Sequence, residues 1–321
     1  MQTKEQLYKI ALRQVQSSRQ RALIVAKQKY ETALQQIPQF GALKNQFRFV
    51  QAQLAKSQII GVTESVATLQ QQAQQIEQNM NQVLAEQGIS FQQLEPQFQC
   101  SLCQDTGEYQ GKTCRCIHLL VCELRRQEIS AISPLELSTF ESFSLSYYPN
   151  QYDKELQLNP YQNMSEIFQY CQKYATHFST QNPNLLMTGT AGLGKTHLAL
   201  AIANTAIQRG ADVVYISCRN LFDQMEQEKF SSNSHLKKMV LEAELLVLDD
   251  LGTEFLTQYG ISFLYDIVNS RILRRLPTIY TTNIIKEDML RARYTEKTAS
   301  RLLGCCELLN FHGNDIRLFE K

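Results

Sequence analysis

Along residues 1–95, apolar side chains recur at three- and four-residue steps among Gln, Lys and Arg: Leu7, Ile10 and Ala11 first, then Val62, Val66, Leu69, Ala73, Ile76, Met80, Val83 and Leu84. Such steps put the apolar groups on one stripe of a 3.6-residue helix, so the region predicts long amphipathic helices and little else. Pro38 and Gly41 interrupt the first helix, and Gly61 separates the second from the third. Helices of this kind pack as a hairpin or bundle, or as a coiled coil with a partner. The Gln-rich tract 70–75 reads as compositional bias.

From residue 184 the pattern changes to short apolar runs at 185–189, 212–217, 245–250, 277–283 and 306–311. Helical stretches separate them at 195–209, 219–230, 235–243, 258–275 and 296–303. Continuous apolar strands alternating with helices predict a parallel sheet covered on both faces, an α/β domain. Between the two regions lie a cysteine-rich insert at 96–118 and a helical, loop-rich linker at 119–183. The linker carries turn signals at Ser133-Pro134, Pro149-Asn150, Asn159-Pro160 and Asn182-Pro183. The expected organisation is therefore 1–95 helical and partner-binding, 96–118 metal-binding, 119–183 linker and 184–321 nucleotide-binding core.

Chemistry enters where the first apolar run meets its helix. Gly189, Thr190, Ala191, Gly192, Leu193, Gly194, Lys195 and Thr196 form the phosphate-loop pattern of glycine, four residues, then Gly-Lys-Thr. Glycines let the backbone turn its N–H groups inward around an anion at a helix N-terminus. Lys195 would neutralise the β- and γ-phosphates of ATP, and the Thr196 hydroxyl would hold Mg²⁺. At the end of the run 245–250, Asp249 would hold the magnesium and Asp250 would position the attacking water. Adjacent carboxylates ending a buried strand are costly without a cation. Asn283 ends the next run and could touch the γ-phosphate, or simply form a turn.

The insert CSLCQDTGEYQGKTCRC places Cys100 and Cys103 at a knuckle spacing, with Cys114 and Cys116 ten residues on. Four thiolates in one short loop suit tetrahedral Zn²⁺ in a structural site. The second pair is tighter than usual, so His118 or Cys122 could replace one member. Cys122, Cys171, Cys218, Cys305 and Cys306 lack a partner pattern and read as buried packing residues. Nine cysteines and no export signal point to a reducing, cytoplasmic setting. No apolar run is long enough to cross a bilayer, so no membrane association is expected. Net charge is only +1, but residues 1–60 hold ten Lys/Arg against Glu5 and Glu31. That +8 could attract an acidic partner or a phosphate backbone, or be a solvated face.

The ordered segments GTAGLGKTH, LLVLDDLGTE, PTIYTTN, TASRLLG and LLNFHGNDIR, together with TFESFSLSYYP at 139–149, resemble the DnaC/DnaI-type helicase loaders. These are AAA+ ATPases related to the IstB transposition helper. The resemblance covers about 139–317. It implies a five-stranded AAA+ P-loop core that self-associates side by side into a ring or spiral, with ATP at subunit junctions. Arg301 then matches the arginine finger that reaches a neighbour's γ-phosphate, and Arg317 matches the second sensor. Arg317 usually sits on a helical lid, which the end at Lys321 implies is absent or vestigial. Asp250 stands where most AAA+ enzymes carry Glu, which implies slow or partner-dependent hydrolysis.

In the loaders, a helix between the second and third strands lines a channel for single-stranded DNA. Lys229, Phe230, Lys237 and Lys238 occupy that interval, as contacts to DNA or as part of a plain covering helix. The function implied is ATP-dependent loading of a replicative hexameric helicase onto single-stranded DNA. The basic helices and the zinc knuckle, which some DnaI-like loaders resemble, would grip the helicase. A transposition helper shares the ATPase core but normally lacks the N-terminal module. A nucleotide-gated scaffold with little hydrolysis is the third reading.

Overall fold

The computed structural model describes residues 1–60, 63–136, 138–228 and 235–318. Gly61, Val62, Lys229 and Phe230, which carry expectations above, lie outside the described residues. Two compact units emerge: Leu12–Ile117, and Met1–Ala11 together with His118–Lys321.

α1 (Lys4–Gln36), which enters the first unit at Leu12, stops where Pro38 would leave a main-chain acceptor unpaired, and Pro38 instead opens α2 (Pro38–Ile60). Gly41 lies inside α2 rather than breaking it. α3 (Thr63–Glu86) packs along α2, and a short α4 (Phe91–Leu94) follows. Their shared core is Ala33, Ile37, Phe40, Met80, Leu84 and Leu94. A hairpin of β1 (Glu108–Tyr109) and β2 (Lys112–Thr113) carries the cysteine insert. It turns at Gln110 and Gly111, both at positive φ (52° and 72°), the twist that a tight hairpin turn requires.

α5 (Arg115–Ser130) leads into the second unit, followed by α6 (Pro160–Thr176), β3 (Asn184–Thr188), α7 (Lys195–Gln208), β4 (Val213–Ser217), α8 (Cys218–Glu228) and α9 (His235–Glu242). β5 (Leu245–Leu251), α10 (Gln258–Arg274), β6 (Thr278–Thr282), α11 (Glu287–Gly304) and β7 (Cys306–Asn310) complete it. The sheet is five-stranded and parallel in the order β4-β5-β6-β3-β7. This is the expected five-stranded parallel α/β core.

Alternation along the strands divides that core into two layers. Leu185, Met187, Val213, Tyr215, Leu245, Val247 and Ile279 face one layer with α6 and α7. Leu186, Val214, Ile216, Leu246, Leu248 and Tyr280 face the other, with α8 to α11. The 119–183 segment, expected as a linker, supplies Met164, Ile167 and Cys171 to the first layer.

Three features escape pattern reading. α11 begins at Glu287, earlier than the expected 296, and breaks at Thr295 (φ 71°, ψ 153°). Arg271 is fully buried without a carboxylate; it donates to the Val240, Ala243 and Pro277 carbonyls and to Thr278 Oγ1 at 2.7–3.0 Å. Of the cysteines expected to be buried packing groups, Cys171 and Cys218 are, but Cys305 is exposed and Cys122 and Cys306 are partly so. Cys305 and Cys306 fall where α11 hands over to edge strand β7, which only β3 covers.

Candidate functional site

β3 lies between β6 and β7, while the chain from its end crosses to β4 at the far edge. A crossover of this kind opens a crevice beyond the carboxyl ends of the strands, where ligands of open α/β sheets bind. The phosphate-loop residues 189–194 fill that place. Gly189, Gly192 and Gly194 have φ of 146°, 75° and 80°, conformations that a side chain would strain. A Cβ would also collide at each, lying 2.6 Å from the Phe311 carbonyl oxygen, 1.7 Å from Asp315 Oδ1 and 2.7 Å from Phe143 Cε2, respectively.

Lys195 opens α7 and is buried. Its ammonium donates to Gly189 O (2.7 Å), Thr190 O (2.6 Å) and Asn283 Oδ1 (2.9 Å). Burial, reinforced by repulsion from Arg317 and opposed by Asp250 and Asp249, pulls it down to about 8.

By strand parity Asp249 faces the α7 side, as Val247 does, and there it meets Thr196. Asp249 Oδ1 accepts from Thr196 Oγ1 (2.9 Å) and Thr281 Oγ1 (2.7 Å), and Oδ2 accepts from Tyr215 OH (2.7 Å). Three hydroxyls thus satisfy a buried carboxylate. The register of β5 against β6 shifts between Leu248 and Leu251, and Asp250 sits in that irregularity at φ 56°. The bulge turns consecutive acids in different directions. Burial, with Asp249 next to it, raises the Asp250 carboxyl above its ordinary range, against the pull of Lys195 and Arg317.

A cavity of about 320 Å³ is lined by Ala191–His197, Asp250, Asn283, Ile316 and Arg317. The fold therefore gathers Lys195, Thr196, Asp250, Asn283 and Arg317 around one space, with Asp249 one hydrogen bond behind. Arg301 is not among them. It lies on α11, with Nε donating to Asn269 Oδ1 (2.8 Å) and its guanidinium 4.7 Å from the Tyr265 ring centroid. The donor set suits a triphosphate with Mg²⁺: an inward-turned glycine loop, one buried ammonium, and a hydroxyl beside a carboxylate.

Residues missed from sequence frame this cavity. Tyr148 OH donates to Leu193 O (2.9 Å), while His197 Nε2 lies 2.8 Å from Thr139 O and its ring sits edge-on to Phe143. The aromatic stretch at 139–149 thus straps the phosphate loop from outside. Glu254, just beyond the twin acids, is buried and accepts from Gly252 N (2.9 Å) and Tyr294 OH. Arg293 Nε lies 3.4 Å from the same carboxylate, and this cluster fixes the exit of β5. The signal available for Glu254 is a third acid four residues after Asp250 in LLVLDDLGTEFL.

In the other unit the Sγ atoms of Cys100, Cys103, Cys114 and Cys116 all lie within 4.8 Å of one another. Cys100 and Cys114 are 3.8 Å apart, and Cys103 and Cys116 are 3.5 Å apart. Tetrahedral Zn²⁺ with Zn–S of about 2.3 Å requires S···S of about 3.8 Å, so the four fit that ion. Asp105 is buried and shapes the knuckle, accepting from Gln99 N (2.9 Å) and Cys100 N (2.8 Å). Among the described residues, neither His118 nor Cys122 belongs to the group. Of the DNA-contact expectations, Lys237 Nζ lies 3.5 Å from Asp266, an exposed pair. Among the described residues no helix is long and apolar enough to cross a membrane.

Comparison with known proteins adds to this geometry. Residues 163–321 match the family model described as IstB-like ATP binding protein. The replicative helicase loader DnaC of Escherichia coli K12 is 28% identical over 123 residues, covering 37% of this chain and 50% of that protein. An insertion-sequence IS5376 protein of Geobacillus stearothermophilus, described as ATP-binding, is 27% identical over 153 residues, covering 45% of this chain and 59% of its own length. The chain thus spans about half the length of the curated relatives it matches. Among solved structures, the DnaC helicase loader aligns with TM-score 0.47 at 21% identity, over 56% of this chain and 99% of that one. The DnaI structure aligns with TM-score 0.42 at 20% identity, over 58% and 95%.

Proposed function

We propose that this chain, with its IstB-like ATP-binding domain at residues 163–321, is an ATP-hydrolysing factor that loads a replicative hexameric helicase onto single-stranded DNA. The observation that carries the reading is the convergence of Lys195, Thr196, Asp250, Asn283 and Arg317 on one cavity, with Asp249 bonded to Thr196.

In this reading the glycine loop and Lys195 hold the β- and γ-phosphates. Thr196 and Asp249 hold Mg²⁺, which neutralises phosphate charge when bound. Asp250, whose carboxyl is raised above its ordinary range by burial, orients and deprotonates the attacking water. Asn283, already hydrogen-bonded to Lys195, is placed to contact the γ-phosphate. Arg301 does not line its own chain's cavity, which suits a finger acting on a neighbouring copy in a ring or spiral.

Residues 1–95 and the zinc-holding 96–118 form the helicase-gripping module, and 119–183 leads into the ATPase and shares its core with 184–321. Basic groups on that module include Arg13, Arg21, Lys29 and Arg48. Lys238 and the interval after α8 supply the DNA contacts. Nucleotide state would govern release, since a ligand shifts such an equilibrium only through its different affinity for the two states.

The insertion-sequence relative favours a second reading, a transposition helper built on the same core. Affinity capture of a replicative helicase by the full chain, with ATP and without, separates the two. Capture that depends on residues 1–118 supports the loader, and no capture in either nucleotide state contradicts it.

A further inference from the structure

Arg317 lines the cavity proposed for a triphosphate, yet two of its three guanidinium nitrogens already donate to a carboxylate. Nε and NH2 donate to Asp315 Oδ1 (2.9 Å) and Oδ2 (2.7 Å), and the Arg317 backbone N–H also points to Oδ1 (3.1 Å). A guanidinium presents two parallel N–H groups in a fixed fork that fits a carboxylate or a phosphate equally well. Asp315 therefore occupies one forked edge of Arg317, the Nε–NH2 edge, where a phosphate would otherwise bind.

The carboxylate is also pinned on the phosphate loop. Ile316 N donates to Gly192 O at 3.0 Å, which fixes the segment 313–318 against the glycine turn. A Cβ at Gly192 would lie only 1.7 Å from Asp315 Oδ1, so the carboxylate rests directly on the loop. Arg317 and Ile316 line the same cavity as Lys195 and Thr196. A negative charge is thus held at the rim of an anion cradle, neutralised by the one arginine that lines it.

We infer that Asp315 is an autoinhibitory latch: it holds the Arg317 fork in the nucleotide-free protein, and a γ-phosphate must displace it to gain that arginine. The inference rests on the nucleotide reading proposed above. ADP, which lacks the displacing group, leaves the latch closed, so the latch increases discrimination between the two nucleotides. Both side chains are partly exposed, which keeps the pair weak enough to exchange partners.

The test is equilibrium binding of ATP (a non-hydrolysable analogue) and of ADP to the full chain and to Asp315→Asn, Arg317→Ala and the double variant. Asp315→Asn keeps the shape of the side chain, and Asp315→Ser serves as a second form. The expected result is ATP affinity raised about fivefold by either Asp315 change, a smaller change for ADP, and no gain when Arg317 is already Ala. Weaker ATP binding in Asp315→Asn would make Asp315 an orienting partner and overturn the latch. A gain that persists in the Arg317→Ala background would overturn it too, since simple charge removal would suffice. Lys195→Ala separates the two levels of failure: binding that survives it overturns the nucleotide site together with the latch, whereas binding lost there without any gain at Asp315 overturns the latch alone.

Discussion

In the nucleotide cradle, Lys195 already gives its ammonium to three oxygens and Asp249 already receives three hydroxyls. In the cysteine knuckle, the four thiols face one another at 3.5–3.8 Å across each pair, held by a short loop and a two-residue-strand hairpin. The cradle's groups come from the loop after β3, the start of α7, β4, β5, the end of β6 and the segment after β7, and a large two-layer core sets their positions. The knuckle's come from seventeen consecutive residues, with the Leu12 and Ile117 side chains packed against Gly107. Protein donors satisfy buried charge in the first region, so its geometry exists without ligand. The second gathers four thiols instead, so a metal held there would share one equilibrium with the fold of its loop.

The largest effect expected from this contrast is on the knuckle. Cys103→Ser, or a strong zinc chelator, should remove metal binding worth roughly 10 kcal/mol and unfold residues 96–118. Zinc content and amide exchange would show it, and ATP affinity should move less than about twofold, since no protein contact in the cradle is lost. Cradle affinity collapsing with the zinc would break the contrast.

Next comes Arg301→Ala, expected to lower hydrolysis about a thousandfold while sparing ATP binding. Mixing it with Asp250→Asn chains should restore part of the turnover, measured as phosphate release. The absence of rescue would mean that the cradle is not completed by a neighbour. Lys195→Ala should weaken ATP binding about a hundredfold, on the order of 3 kcal/mol, from lost charged hydrogen bonds. Amide exchange in the knuckle should be unchanged.

The smallest effect is pH dependence. Lys195 is pulled down to about 8 in the free protein, and a bound triphosphate would raise it again. Below about 8 the ammonium is charged before and after binding, so affinity is flat. Above it, binding must take up a proton, and affinity should fall by up to about tenfold per pH unit. Calorimetry in buffers of different ionisation enthalpy would show the proton uptake.

What the chain disclosed in advance follows the same division. Continuous apolar strands and the glycine loop are local signals, and they placed β3 to β7 within a residue or two of where they lie. The knuckle was legible for the same reason, because its ligands are close in sequence. What stayed hidden depends on the third dimension. The carbonyl cage around Arg271 and the Glu254–Tyr294–Arg293 cluster join residues about thirty to forty apart. The break at Thr295 puts a β-branched residue in a conformation that no local preference favours. The strap at 139–149 is loop in pattern, and only its packing on His197 and Leu193 gives it a place at the site.

In the proposed site a metal–triphosphate lies clasped between Thr196 and the twin acids. Electron paramagnetic resonance of Mn²⁺, added with a non-hydrolysable ATP analogue, reads that clasp. One tightly held Mn²⁺ per chain is expected, requiring the nucleotide and lost in both Thr196→Ala and Asp249→Asn. The same bound Mn²⁺ signal in those two variants as in the unaltered protein would contradict it.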